Sequence, residues 1–224
     1  MIGRFQEVSA EVDVDFCQRN NIQIGRRFTG GGAVFHDQGN LNITIVTQRQ
    51  RGMSLSQFHE TNCTVITNVL DMLDAGCRYV PPNSIEIAGK KVSGAAAALG
   101  RDFAFWHASI LVSTNEQMLN EVLQPSRTYR RSDFVRSRWQ PVTALNSVLR
   151  TQVSVEEVKQ LLVGSCESCF KMELEAGDLT HEERQLMESL HDRKYSSGEW
   201  NIHGHCWNSG IERKDGGTHT TIAV

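Results

Sequence analysis

The chain has 224 residues, 39% of them hydrophobic, and a formal net charge of −3. This length allows one ordinary domain or a domain with a tail, and the charge excludes a general nucleic-acid binder. No run approaches the ~18 apolar residues of a membrane span, no signal peptide opens the chain, and six irregularly spaced cysteines read as reduced thiols of a cytoplasmic protein. In chain order, Val8–Asn20 carries Val14 and Cys17 at helical spacing and predicts a short helix. Ile22–Ile24 predicts a strand leading into Arg26–Asn42, which reads Arg-Arg-Phe-Thr-Gly-Gly-Gly-Ala-Val-Phe-His-Asp-Gln-Gly-Asn-Leu-Asn. Three consecutive glycines suit neither helix nor strand, because each loses extra backbone entropy. They suit a backbone that bends sharply and offers N–H groups to phosphate oxygens. Arg26 and Arg27 add planar charged forks that match phosphate or carboxylate. A flexible turn is the plainer alternative. The P-loop and dinucleotide fingerprints are both absent. Leu41–Val46 then alternates as a half-buried strand does.

Ser54–Leu73 predicts a scaffold helix. Ser54 and Gln57 form a capping box, Leu55, Phe58, Val65, Ile66, Val69, Leu70 and Leu73 mark its apolar face, and Gly76 stops it. His59 on it reads as a surface histidine. A turn over Tyr79–Ser84 opens a hairpin, with Ser84–Ala88 as one strand, Gly89–Lys90 as the turn and Lys91 starting the next strand. Ser93–Ala98 has almost no side-chain bulk, which admits either a ligand or a packed helix. Lys91, beside these small residues, can serve as a fixed cation or be an exposed hairpin lysine. Lys90 should point the other way. Phe103–Val112 alternates as a strand with His107, Ser109 and Leu111 on one face and Ala108, Ile110 and Val112 on the other. His107 can line a site or be a core histidine. A helix over Thr114–Leu123 ends before Pro125, and Arg127, Arg130, Arg131, Arg136 and Arg138 make a basic loop. Ser154–Phe170 and Thr180–His191 predict two capped helices. Cys166 and Cys169, with His203, His205 and Cys206, make zinc conceivable, but the pair sits inside a predicted helix and the spacing is no known finger, so no metal ligands are assigned. Ile202–Val224 reads as a loose tail.

Taken whole, Arg26–Asn40 resembles the signature of the lipoate–protein ligase family, Arg-Arg-x-Ser/Thr-Gly-Gly-Gly-Ala-Val-Phe/Tyr-His-Asp-x-Gly-Asn. Ala88–Ala96, Trp106–Leu111 and Lys194–Asn201 follow in the family's order, so the resemblance covers about residues 2 to 201. It implies an α+β fold, a mixed β-sheet flanked by helices, like class II synthetases and biotin ligases. It implies a catalytic domain over residues 1–201, N-terminally incomplete because Ile2–Gln6 stands inside the domain in the family, and a tail over 202–224.

The implied chemistry is activation of lipoate by ATP to lipoyl-AMP, with Mg2+ accompanying the triphosphate. Transfer to the lysine of an apo lipoyl domain follows, on a 2-oxoacid dehydrogenase acyltransferase subunit or the glycine-cleavage H protein. On this resemblance Lys91 is the catalytic cation that contacts the acyl-adenylate. Arg27 binds phosphate or the acyl-adenylate, and Gly30, Gly31 and Gly32 shape the loop around it. Val34, Phe35 and His36 hold the nucleotide or the mixed anhydride, Ser109 hydrogen-bonds the adenylate, and Asn40, Asn83, His107 and Ala108 line the same site. The basic loop closes over the adenylate, and Arg136 or Arg138 touches phosphate or the acidic partner domain. Two departures stand out. Pro82-Asn83-Ser84 replaces the family's usual Arg-Asn-Asp, whose Asp helps hold the nucleotide and its metal, and the family's second small domain has no counterpart, which leaves two expectations: a separate accessory subunit supplies it, or the chain only transfers preformed lipoyl-adenylate. Two other readings stay open: an octanoyl or lipoyl transferase with Cys77 as nucleophile, and an inactive truncated domain.

Overall fold

A computed structural model describes residues 1–125, 134–204 and 221–223. Its elements in chain order are α1 (Val8–Glu11), α2 (Val14–Arg19), β1 (Asn40–Gln48), α3 (Leu55–Met72), β2 (Cys77–Val80), β3 (Ser84–Ile87), β4 (Lys90–Leu99), β5 (Phe103–Leu111), α4 (Glu116–Val122), α5 (Val155–Phe170), α6 (His181–Leu190) and β6 (Thr221–Ala223). The chain forms two compact units. Among the described residues the first takes 1–35, 118–125, 134–139 and 175–204, and the second takes 36–117, 140–174 and 221–223.

The second unit is a sheet with helices on one face, and the α+β expectation holds. Strand order is β2-β3-β4-β5-β1-β6 with antiparallel neighbours, and a parallel bridge between Lys91 and Val142 gives the sheet its mixed character. Alternation decides which side chains go inward. Leu41, Ile43 and Ile45 of β1 and Ala104, Trp106, Ala108 and Ile110 of β5 are buried against α3 and α5. Each such aliphatic side chain contributes about 1.5–3 kcal/mol. From α3, Phe58, Val65, Ile66, Val69 and Leu70 join this core as predicted, whereas Leu55 is exposed. The Ser54 hydroxyl caps α3 by accepting from Gln57 N–H, but it donates to Gln57 Oε1, so only half of the expected capping box forms. Both expected boxes form in full at Ser154 and Thr180.

His59 corrects the sequence reading. It is 5% exposed, not a surface residue, and its Nδ1 accepts a hydrogen bond from Trp106 Nε1 at 3.1 Å. An indole N–H can only donate, so Nδ1 must carry no proton. Burial accordingly lowers the pKa of His59. A base held neutral in the fold must be charged to satisfy acid, and the unfolded chain takes that proton more readily. Stability is therefore complete above the ordinary histidine value of about 6.5 and falls as pH drops through the lowered one. In a His59→Gln chain, whose carbonyl keeps the indole partner, this part of the acid sensitivity should disappear from melting curves recorded between pH 7 and 4.

The β3–β4 hairpin turns one residue earlier than expected. Ala88 and Gly89 occupy the turn at φ 49° and 76°, the positive values a two-residue type I′ turn demands, and Lys90 already pairs with Ile87.

The first unit has a more polar interior. The predicted helix over Val8–Asn20 is broken into α1 and α2, because Val12 is extended and bridges Leu123 while Asp13 caps α2 through Phe16 N–H. Ile22–Ile24 forms no strand, and a single parallel bridge joins Ile2 to Arg26. Ile2, Val8, Val12, Cys17, Leu119, Val122 and Trp200 are buried together with Gln6, Glu11, Arg26 and Thr29. Of the expected tail, residues 205–220 and Val224 lie outside the described residues, while Thr221–Ala223 pair with Thr44–Val46 as an edge strand.

Candidate functional site

In the first unit the glycine loop is pinned at successive residues, which rules out the free-turn reading. Arg27 donates from Nε and Nη2 to Gly30 O at 3.2 and 2.7 Å, and from Nη2 to Gly32 O at 2.7 Å. Gly31, at φ 90°, places its carbonyl against Gly3: a Cβ built on Gly3 would meet Gly31 O at 2.1 Å. Ala33 N–H donates to Ser137 Oγ at 2.9 Å. Arg27 thus first acts as a clamp on the loop's own carbonyls. Its Nη1 is buried with no protein partner among the described residues, and burial lowers its pKa to about 10, so it stays a cation near neutrality. Val34 is half-buried and Phe35 buried.

Arg26 is not a ligand fork. It is 3% exposed, and its guanidinium is caged by the carbonyls of Gly3, Arg4, Gln6, Trp200 and Ile202. The cage explains the Lys194–Asn201 stretch, to which sequence reasoning gave no role. Trp200 Nε1 donates to Arg26 O at 2.8 Å, Asn201 Oδ1 accepts from Arg26 N–H at 3.0 Å, and Lys194 Nζ lies 3.9 Å from the Trp200 ring centre. Of the basic loop, Arg127, Arg130 and Arg131 lie outside the described residues, and Arg136 and Arg138 are exposed.

In the second unit, the sheet face turned away from the core carries the other candidates. Gly94 pairs with Ser109 and Ser109 with Asn42, and Ala96 pairs with His107 and His107 with Thr44, in cross-strand rows. The bulk-free β4 leaves this face low beside the polar β5 and β1. Lys91 reaches it through a bulge. Glu86 pairs with Lys91 but Ile85 with Ser93, so Val92 is an extra residue. One extra residue reverses every side chain beyond it. Ser93 therefore sits buried with Ile85, while Lys91 shares the side of Gly94. A Cβ built on Gly94 would lie 2.6 Å from Lys91 Cε and 2.9 Å from Nζ. The backbone of Lys91 is fixed by Pro141 O at 2.8 Å and by Thr143 N–H at 3.0 Å, and its Nζ lies 3.5 Å from Gln140 Oε1. Lys90 is exposed and points the other way, as expected.

Ser109 and Asn40 are joined, Asn40 Nδ2 donating to Ser109 Oγ at 3.2 Å. Asn40 Oδ1 accepts from Asp37 N–H at 2.8 Å, and the Asp37 carboxylate accepts from Gly39 and Asn115 N–H, both at 2.9 Å. Asp37, overlooked in the sequence, therefore builds the turn that holds Asn40. His107 is half-buried with its ring centre 5.3 Å from that of Phe105, so it is not a core histidine. Three candidates stand elsewhere. Ala108 is 3% exposed on the core face. His36 is exposed. Asn83 donates to Ala95 O and ties the turn before β3 to β4. Ser84 is buried at 6% exposure.

Cys77 is poorly placed as a nucleophile. Its Sγ faces Thr67 O at 3.8 Å and Asp71 Oδ1 at 3.6 Å, and burial, then the Asp71 carboxylate, push its pKa up to about 11. Little thiolate exists near neutrality. A Cys77→Ser chain should keep full activity in any acyl-transfer assay, and loss of activity would reverse this reading. Cys166 is fully buried, Cys169 Sγ accepts from Asn68 Nδ2 at 3.2 Å, and His205 and Cys206 lie outside the described residues. Among the described residues no group of three or more His, Cys, Asp or Glu side chains is placed to hold a metal, and no helix is long and apolar enough to cross a membrane.

Comparison with known proteins places this arrangement. The profile of the lipoyl protein ligase A/B catalytic domain matches residues 1–167. Lipoate-protein ligase A subunit 1 of Thermoplasma acidophilum is 32% identical over an alignment of 212 residues that covers 90% of this chain and 80% of that protein. Lipoate–protein ligase 2 of Staphylococcus aureus is 29% identical over 208 residues, 89% of this chain but only 60% of the longer relative. A solved structure of the bipartite T. acidophilum lipoate protein ligase with its E2 lipoyl domain superposes with a TM-score of 0.81 at 31% identity, covering 94% of this chain and 82% of that one. Two further structures, a T. acidophilum ligase with bound lipoic acid and a lipoate-protein ligase A bound with ATP, give TM-scores of 0.79 and 0.78, each at 31% identity over 90% of this chain and 80% of that one. The chain is a ligase and belongs to the lipoyl protein ligase A/B catalytic domain family.

Proposed function

We propose that this chain is the catalytic subunit of a lipoate–protein ligase. It converts lipoate and ATP to lipoyl-AMP and pyrophosphate, then passes the lipoyl group to a lysine ε-amine on a lipoyl domain of a 2-oxoacid dehydrogenase acyltransferase or on the glycine-cleavage H protein. An accessory subunit assists the first step. The lipoic acid and ATP seen on similar structures, and the subunit naming of the T. acidophilum relative, support this reading. The observation that carries it is the bulge at Val92, which turns a single lysine onto a face of small residues and hydroxyls.

In the activation step a lipoate carboxylate oxygen attacks the α-phosphorus and the bond to pyrophosphate breaks. Negative charge converges on the carboxylate and the α-phosphate oxygens, and the Lys91 ammonium lowers the energy of that arrangement. In the transfer step the amine attacks the acyl carbon, the bond to AMP breaks, and the amine proton goes to solvent. Arg27 with Gly30, Gly31 and Gly32 presents the loop to the acyl phosphate. Val34, Phe35 and His36 continue it. Ser109, oriented by Asn40, offers a hydroxyl to the adenylate, with His107 beside it and Asn83 and Ala108 serving as support.

Magnesium is implied by the family, but among the described residues no group of three or more His, Cys, Asp or Glu side chains is placed to hold an ion. Ser84 stands where the family places a carboxylate and is buried. No step is assigned to a metal.

The test is to incubate the chain with lipoate, Mg-ATP and an apo lipoyl domain, with synthetic lipoyl-adenylate replacing lipoate and ATP in a parallel reaction, and to weigh the acceptor. Mass gain in both reactions identifies a complete ligase. Gain with the adenylate alone identifies the transfer half and the need for the accessory subunit. Gain in neither sinks the proposal.

A further inference from the structure

Ser137 stands in the basic segment 134–139 and touches the glycine loop directly. Its Oγ accepts from Ala33 N–H at 2.9 Å and from Gln6 Nε2 at 3.0 Å. Gln6 in turn takes Gly3 N–H on Oε1 at 2.8 Å, and Gly3 is the residue whose missing Cβ admits the Gly31 carbonyl. A Cβ on Gly32 would meet Ser137 Oγ at 2.9 Å, so the hydroxyl lies against the last glycine as well. The Ser137 backbone is held from the opposite side, its N–H donating to both oxygens of Glu11 at 3.1 and 3.3 Å, and Glu11 is 2% exposed. A carboxylate buried to this degree is retained only where it is hydrogen-bonded. Here it fixes one serine whose hydroxyl then fixes the loop.

We propose that Ser137 is a positioning residue for carboxylate activation: its hydroxyl, anchored by Glu11 and Gln6, holds the Ala33 end of the glycine loop in the shape that Arg27 sets at Gly30 and Gly32. This rests on the ligase reading above for its effect on catalysis, but not for the latch itself. A loop clamped at both ends keeps its geometry as charge develops, whereas one clamped by Arg27 alone loses it. The arginines on either side supply charge, and the serine supplies register.

Two measurements test it separately. In the purified chain, Ser137→Ala should speed hydrogen exchange of the Ala33 amide about tenfold, the value of one lost hydrogen bond. Exchange at Ile43 and Ile45 of β1 should not change. In the coupled reaction with lipoate, Mg-ATP, apo lipoyl domain and, where it is needed, the accessory subunit, Ser137→Ala should lower kcat about tenfold for activation with little change in the KM for ATP. Ser137→Thr, which keeps the hydroxyl, should restore most of the rate. Should Ser137→Ala not fold, Ser137→Cys keeps the size with a weaker acceptor and should fall between alanine and wild type in both readings. Unchanged exchange at Ala33 overturns the latch. Faster exchange with unaltered kcat overturns the role in activation. If the wild type itself modifies no acceptor, the ligase reading fails while the exchange result still decides the latch.

Discussion

Lys91→Ala should lower the activation rate by about 100-fold or more, the loss expected when one preplaced charge is removed from a developing anion, while leaving the melting curve nearly unchanged. The bonds that the lysine's backbone makes, to Pro141 and Thr143, survive the substitution. The sharper form of this prediction concerns Gly94. A methyl group there would sit 2.6 Å from Lys91 Cε, inside contact distance, and the flexible end of the lysine must move aside. Gly94→Ala should therefore reduce activation by roughly 10- to 100-fold through displacement alone. Its backbone needs no rearrangement, because β4 is extended at that point. Measuring pyrophosphate release and acyl transfer separately for both variants decides the matter. A Gly94→Ala chain with wild-type rates would show that the lysine's position over Gly94 is irrelevant, and a Lys91→Ala chain with wild-type rates would remove it from the mechanism.

Arg26→Met should be the most destabilising single change in the first unit. The methionine fills much of the volume but takes the guanidinium away from five carbonyl oxygens; Gly3 O keeps Gln6 N–H at 3.2 Å, whereas Trp200 O and Gln6 O each lose a buried bond. At about 1–3 kcal/mol for each of these two buried groups, the loss is roughly 2–6 kcal/mol. Arg26→Lys should recover little, since one ammonium cannot face carbonyls spread around a planar fork. Arg27→Met is the informative comparison. That side chain answers to two carbonyls of a half-exposed loop, so its loss should reduce activation strongly and thermal stability only modestly. Differential scanning calorimetry of the three variants gives the ranking, and an Arg26→Met chain as stable as Arg27→Met would contradict the cage.

These two arginines show what the sequence could and could not disclose. As neighbours in a motif they read alike, as paired forks for an anion. Their division of labour depends on Trp200 and Ile202, more than 170 positions away, and no local pattern carries that information. Periodic features were legible because their cause is local. The apolar stripe of α3, the capping boxes at Ser154 and Thr180 and the alternation of β5 all follow from spacing along a few turns or pleats. Lys91 and the small residues after it were legible as a pair. The reason Lys91 faces them was not, because simple alternation would put it on the core side and only the extra Val92 reverses it. His59 was misread for a related reason: its partner Trp106 lies on another element, and a histidine on an apolar helix face looks the same whether or not an indole waits opposite. The break at Val12 was hidden by a helical spacing that Asp13 resolves into two separate starts.

The cage around Arg26 also sets an order in time. During synthesis β1 to β5, α3 and α5 are all available once residue 174 has emerged, so the second unit can close early apart from its edge strand β6. The first unit cannot, because Trp200 and Ile202 supply two of the five oxygens that Arg26 requires. Until they arrive, the glycine loop and its arginines belong to an unfinished structure, with a charged group waiting in what will become an interior. Contacts between residues so far apart in the chain are slow to form. A nascent or C-terminally clipped chain ending before Trp200 would thus display a folded sheet beside an open first segment, a natural target for chaperones or proteases.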